Sequence, residues 1–127
     1  MVLSLSLVAV NLSTGKNTIE QQRVARDLVS TLRYARSLAL RTHQETFVLF
    51  DLAEHRYRLN NKVYAIPEDI GIRLHIANTQ TFNEQQARIV FFNDGSSTGG
   101  RIMLTRNAVV WTITVNWLTG QIEAEQQ

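Results

Sequence analysis

No cysteine occurs among the 127 residues. Disulfide frameworks, thiolate metal sites and cysteine nucleophiles are therefore excluded, although the absence alone does not reveal the redox state of the compartment. Proline occurs once, at Pro67, and glycine six times. Long stretches thus lack a strong breaker, and the few glycines mark turns. Charge of one sign is also missing: 13 Lys and Arg stand against 11 Asp and Glu, for a net +2. The sequence pI of about 9.4 reflects a small arginine excess on few ionisable groups. That is too weak to imply nucleic acid by itself. No apolar run reaches the ~20 residues that span a bilayer. Hydrophobic residues still make up 44%, which predicts one folded domain around a single core.

The amino end, Met1 to Val10, is apolar and uncharged. It lacks the basic segment of a signal peptide. Three readings fit it. Leu3, Leu5 and Leu7 alternate with Ser4 and Ser6 as in a strand. The stretch also suits the cut end of a signal or membrane segment, or a plain buried element. Asn11 to Asn17 reads as a polar, turn-rich break. Its Gly15-Lys16 pair is not a phosphate loop, which would need Gly in place of Val10 and Ser or Thr in place of Asn17.

Thr18 to Thr42 predicts a helix, with Thr18 as its cap and Glu20 and Asp27 toward its positive end. Val24, Leu28, Leu32, Ala35 and Ala39 recur at three- and four-residue spacing, flanked by Ala25, Val29 and Leu38. Arg23, Arg26, Arg33, Arg36 and Arg41 fall mostly on the other side and read as a solvated face. The period then changes from 3.6 to 2. Strands are expected at Thr46–Phe50, Arg56–Leu59, Lys62–Ile66, Ile70–Ile76, Arg88–Phe92 and Arg101–Thr105. A longer strand is expected over Val109–Trp117, with Trp111, Ile113, Val115 and Trp117 on one face. Leu118 to Gly120 turns the chain, Gln121 to Ala124 returns, and Glu125 to Gln127 is expected to fray. Asn78 to Gln86 is polar. A helix followed by segregated strands predicts an α+β fold, a long amphipathic helix packed on antiparallel sheet or a small sandwich.

Catalytic patterns are scarce. His43, His55 and His75 show no metal-ligand spacing. Ser96 and Ser97 have no neighbouring His, and no Gly-x-Ser-x-Gly elbow occurs. The adjacent Glu68 and Asp69 follow Pro67 and suit a turn better than an acid/base pair. No enzyme activity, cofactor or metal is expected. The loop Asn93 to Gly100 lies between two expected strands. A phosphate loop leads into a helix, whereas Asp94-Gly95 signals a hairpin turn. An exposed loop tip would also suit a protein partner.

Three marks in order carry a resemblance. They are the helix stretch Leu32-Arg-Tyr-Ala-Arg-Ser-Leu-Ala39, the loop Phe91-Phe-Asn-Asp-Gly-Ser-Ser-Thr-Gly-Gly100, and the turn Trp117-Leu-Thr-Gly120. Together they resemble the H-type minor pseudopilins of bacterial type II secretion, the GspH family, over about residues 20–122. The resemblance implies a type IV pilin-like fold and a structural role near the pseudopilus tip, assisting protein export across the outer membrane. It implies the I, J and K types and the major pseudopilin as partners. It also implies single-pass anchoring in the inner membrane, with the globular domain in the periplasm. On this view residues 1–17 are the residual stem and turn of a truncated membrane helix. Val2, Leu3, Leu5, Leu7 and Val8 would pack in that stem, and residues 18–127 would form the head. The prepilin cleavage site, the Phe-Thr-x-x-Glu start and the methylated terminus match no residue in this chain. The loop residues Asp94, Gly95, Ser96, Ser97, Thr98, Gly99 and Gly100 are the candidate partner contact. A sister group, the FimT-type minor pilins, implies a DNA-binding alternative. Those binders carry a basic carboxyl end, whereas Gln121-Ile-Glu-Ala-Glu125 is acidic, which disfavours nucleic acid.

Overall fold

The computed structural model describes residues 15–76 and 86–126. Among these described residues one helix, α1 (Gly15–Thr42), precedes eight strands. These are β1 (Thr46–Asp51), β2 (Arg56–Leu59), β3 (Lys62–Ala65), β4 (Gly71–His75), β5 (Gln86–Phe91), β6 (Gly100–Arg106), β7 (Val109–Val115) and β8 (Ile122–Gln126). They form two four-stranded sheets, ordered β3-β2-β1-β5 and β4-β6-β7-β8. Every pairing between named strands is antiparallel.

The apolar stripe read from the sequence faces both sheets. Leu28, Leu32, Ala35 and Ala39 are fully buried, and α1 touches β1, β7 and β8. Val48, Phe50, Ile89 and Phe91 come from the first sheet, and Ile102, Leu104 and Ile113 from the second. Burial of this kind contributes about 1.5–3 kcal/mol per large side chain and dominates the stability of the fold. Tyr57 closes the core beside β3. Its ring stacks on Tyr64 at 4.9 Å and leans on Phe50 at 5.8 Å, and burial pushes its phenol above the usual range.

Two polar clamps hold the start of α1. Gln21 is buried, and its Nε2 donates to the carbonyls of Leu104 and Val109, each at 3.0 Å. Arg106 pairs with Glu20 at 2.8 Å and with Asp69, joining α1, the β3–β4 link and β6. Replacing Gln21 with Leu keeps much of the volume and leaves both carbonyls without that donor. We expect a loss of about 2 kcal/mol and a drop in Tm of about 8 °C, read by thermal unfolding.

Several expectations change. The helix already includes Gly15 to Asn17, so Thr18 lies inside it and is not its cap. Gly and Asn are weak helix formers, not absolute breakers, Lys is a good one, and propensity yields to context. Asn11 to Thr14 and the stem residues Val2, Leu3, Leu5, Leu7 and Val8 lie outside the described residues. So do residues 78–85 of the polar stretch, while Gln86 begins β5. Strand β7 stops at Val115, because the Asn116 side chain captures the amides of Leu118 and Thr119 at 2.8 and 3.1 Å and turns the chain. Trp117 therefore leaves the core face. At the other end, Glu125 and Gln126 pair with Thr112 and Trp111 instead of fraying.

The largest correction concerns the loop after β5. The expected hairpin would pair β5 with β6, yet these strands lie in different sheets. The turn itself is real. Gly95 N–H donates to the Phe92 carbonyl at 2.9 Å, and Phe92 N–H donates to that of Ser96 at 2.8 Å. The chain follows β5 back only as far as Thr98, whose amide donates to Val90 at 3.0 Å. Gly99 and Gly100 then carry it across to the second sheet.

Candidate functional site

The three sequence marks converge on one point, the Arg36 side chain. Its Nε donates to the carbonyls of Gly95 and Thr119, at 3.0 Å each. The sequence reading placed Arg36 on a solvated face. The structure instead assigns it to the seam between the loop and the last turn. Arg33 also reaches out of that face, donating to the Ile122 carbonyl at 3.2 Å. Arg23 stays on the surface in an exposed i,i+4 pair with Asp27. The signal for Arg36 was its place within the helix mark, not its charge.

Ser97 makes the second bridge. Its amide donates to the Trp117 carbonyl at 2.9 Å, and its hydroxyl donates to that of Asn116 at 3.3 Å. The same oxygen accepts from Gly99 N–H at 2.8 Å. Asn116 N–H donates to the Gln121 carbonyl and Gly120 N–H to the Asn116 carbonyl, closing the β7–β8 turn. Gly120 adopts φ +75°, and a Cβ there would stand 1.9 Å from the Gly95 oxygen and 2.7 Å from Arg36 Nε. A glycine is required on both grounds.

These contacts decide what the candidate contact loop can offer. Gly95, Ser97 and Gly99 are buried, Ser96, Thr98 and Gly100 are half-buried, and Asn93 and Asp94 are exposed. At Asp94, the Ser96 hydroxyl and amide donate to Oδ1 at 2.6 and 3.0 Å. The hydroxyl bond, with the amide behind it, holds this carboxyl below the usual aspartate range. The Thr98 hydroxyl accepts from Val90 N–H at 3.2 Å. Most of the loop's polar groups thus bond to the chain itself. Beside the loop, Trp117 and Leu118 are 66% and 63% exposed.

Chemistry-bearing side chains do not gather elsewhere in the same way. Among the described residues no group of three or more His, Asp or Glu could hold a metal ion. A cleft between α1 and the β2–β3 hairpin is lined by Ser30, Tyr34, Asn60, Lys62 and Tyr64, with no carboxylate or imidazole in its wall. His43 follows the helix end and His55 sits in the β1–β2 turn, both at positive φ. The His55 ring lies 3.2 Å from the Ile66 carbonyl. His75 lies on β4, across from Arg101. The structure does not bring the three together as a site.

The family model of the Type II transport protein GspH matches residues 24–120. The chain belongs to the GspH family. The match starts on the buried stripe of α1 and ends at Gly120, so it spans the helix, both sheets and the whole Arg36 seam. Type II secretion system protein H of Xanthomonas campestris pv. campestris is 29% identical over 119 residues, which cover 93% of this chain and 70% of that protein. Among solved structures, the minor pseudopilin EpsH of the Vibrio cholerae type 2 secretion system superposes with a TM-score of 0.65 at 12% identity. That alignment covers 84% of this chain and 96% of EpsH. The type IV minor pilin FimU of Pseudomonas aeruginosa gives 0.63 at 13% identity, covering 86% of this chain and 90% of FimU. At such identities the likeness shows the fold alone, and that fold is the pilin-like α+β head read from the sequence. The GspH family is a family of structural pseudopilins, and the comparisons support the secretion reading over DNA uptake. A pseudopilin of this system is a membrane-associated component of the periplasm with pseudopilus partners. Among the described residues no helix is long and apolar enough to cross a membrane.

Proposed function

We propose that this GspH-family chain is a structural minor subunit near the tip of the type II secretion pseudopilus, where it assists protein export across the outer membrane. The observation that carries the reading is the family match over residues 24–120, on a head with the pilin plan of one helix packed on antiparallel sheets. The physics suits a building block. Two clamps, at Gln21 and Arg106, fix the start of α1 to the second sheet, so a force applied along the helix reaches the head without hinging. A single-pass stem in the inner membrane, continuing α1 upstream, would set the head in the periplasm.

The I, J and K minor types and the major pseudopilin are the partners in this reading. Within the loop Asp94 to Gly100, the contact would fall to Asp94, Ser96 and Thr98, whose side chains are not fully enclosed; Gly95, Ser97 and Gly99 support the turn beneath them. The chain would turn over no substrate. Mixing the purified full chain with the cognate I, J and K subunits in detergent and separating the products by size tests the proposal. A stable complex containing this chain is expected. Free chain under every condition of salt and concentration would refute it.

A further inference from the structure

The turn Trp117 to Gly120 carries two features with opposite demands. Thr119 and Gly120 are fixed from beneath by Arg36 and Asn116, and Ser97 holds the carbonyls of Asn116 and Trp117 just before them. Trp117 and Leu118, on the same turn, hold two large apolar side chains in water, at 66% and 63% exposure. Leaving them there forgoes burial that the core could have used. Their backbone is not free to swing them inward. The Trp117 carbonyl accepts from Ser97, the Leu118 amide donates to Asn116, and the Trp117 Cβ lies against Gly99. A rigid backbone displaying an indole beside a leucine is a preorganised anchor. Such anchors lose little freedom on binding and tend to dominate interface energy.

The ground beside the anchor has a charge. A shallow trough runs from Trp117 along Gly99 and Gly100 to Arg101, His75 and Thr114. His75, Arg101 and Thr114 are cross-strand partners in one row, and Glu123 continues that row on β8. Glu123 is two strands from Arg101, about 10 Å away at normal strand spacing. Arg101 is exposed and has no ion-pair partner among the described residues. One guanidinium beside an apolar knob matches a carboxylate next to an apolar side chain. It does not match a nucleic acid, which needs several phosphate contacts for useful affinity.

The position also matters. Arg36, which holds the turn, is 21 residues from Gly15 along α1, or about 30 Å at 1.5 Å per residue. On the pseudopilus reading the membrane stem enters at the Gly15 end, so the anchor faces away from the bilayer. We propose that Trp117 and Leu118, with Arg101 beside them, form the docking point for another pseudopilin subunit, which presents an apolar side chain flanked by a carboxylate. This rests on the secretion reading and goes beyond it by naming the surface and the chemistry of the partner segment. This surface adjoins the Asp94 loop and extends the contact proposed there. The Ser97 and Arg36 bridges then serve to hold the anchor still.

The experiment uses the full chain in cells with an intact secretion system. A photoreactive residue replaces Trp117, or Val63 on the outer face of the first sheet, which is 54% exposed and serves as control. The expected product is a cross-link to another pseudopilin from position 117 and none from 63. In parallel, Trp117→Ala, Leu118→Asp and Arg101→Glu are each expected to lower recovery of that partner with the tagged chain by tenfold or more. Melting curves should stay within 2–3 °C of the parent, because Ala keeps the Cβ that rests on Gly99 and the other two side chains are exposed (roughly the range of a surface change). Tenfold weaker recovery for Arg101→Glu alone, with normal melting, would support the inference even if a Trp117 variant folded poorly. Undiminished recovery for all three variants would overturn it while leaving the secretion reading intact. Cross-links from position 117 to a second copy of this chain, or to DNA, would also overturn it. Failure of the parent chain to recover any pseudopilin would overturn both.

Discussion

Gly120→Ala should be the most damaging single-methyl change in the protein. The new Cβ would fall 1.9 Å from the Gly95 oxygen and 2.7 Å from Arg36 Nε, on a backbone at φ +75°. An L-residue in that conformation costs about 1–2 kcal/mol, and forcing apart packed groups adds about 1–3 kcal/mol. The sum is about 4 kcal/mol, a large share of the ~5–15 kcal/mol that holds a domain together. Tm should fall by about 15 °C in calorimetry. The comparison that isolates the cause is Gly71→Ala. There the nearest atoms to a new Cβ are at 3.7 and 3.9 Å, ordinary contact, so little change is expected. Equal melting of the two variants would remove Gly120 from its assigned role.

Arg36→Ala should follow, at about 2–3 kcal/mol. One charged donor serves two carbonyls, on Gly95 and Thr119, and hydrogen bonds from charged groups contribute about 1.5–3 kcal/mol each when made singly. Sharing one N–H between two acceptors keeps the total near the value of one strong bond. Lysine should restore less than half, because its ammonium lacks an Nε–H set back in a planar fork. The effect should also be coupled to Ser97→Ala, since both residues brace the same loop against the same turn. A double-mutant cycle read by denaturant unfolding should give an interaction of at least about 0.5 kcal/mol. Strict additivity would mean that the two bridges act independently and that the seam is not one unit.

Periodicity made most of the fold legible. Val24, Leu28, Leu32, Ala35 and Ala39 are buried as their spacing required. The alternation in Arg56–Leu59 and in Ile70–Ile76 places Tyr57 and Leu59, then Ile72 and Leu74, on the inner side. Such patterns are local, and local sequence carries them. Strand partners are different. Nothing in Arg88 to Thr105 says that its two strands belong to different sheets. The Asp94-Gly95 signal forms a true turn, but whether the return strand stays depends on Ile102 and Leu104 finding their places beside β4 and β7. That choice is made by long-range burial. The end of β7 was misplaced for a similar reason: Trp117 continues the alternation by residue type, but the Asn116 side chain competes for the next amides.

The site was legible only as marks in order, not as contacts. Arg36 looked like one of five helix arginines, and Ser97 like one of several loop serines. Their partners are backbone carbonyls, which any sequence has, so no residue type announces the pairing. The loop glycines were read correctly as turn chemistry at Gly95, and Gly120 marked a turn as well. What the sequence could not supply is that these two glycines touch. The closeness of Gly120 to the Gly95 carbonyl ties the loop to the last turn and explains the glycine at 120, whereas at Gly95 (φ +93°) a Cβ would crowd the Arg36 guanidinium at 3.0 Å and Leu40 at 3.2 Å.

If this chain is a structural part of a secretion pseudopilus, export through the type II system depends on it. The gene is deleted in its own host, and a protein that the type II system normally secretes is measured in the medium and in the periplasm. The secreted protein is expected to build up in the periplasm and to fall at least tenfold in the medium. The parent chain is expected to restore export, whereas Gly120→Ala does so poorly at a growth temperature near its lowered Tm. Unchanged export in the deletion strain, with every other subunit present at its normal level, would contradict that role.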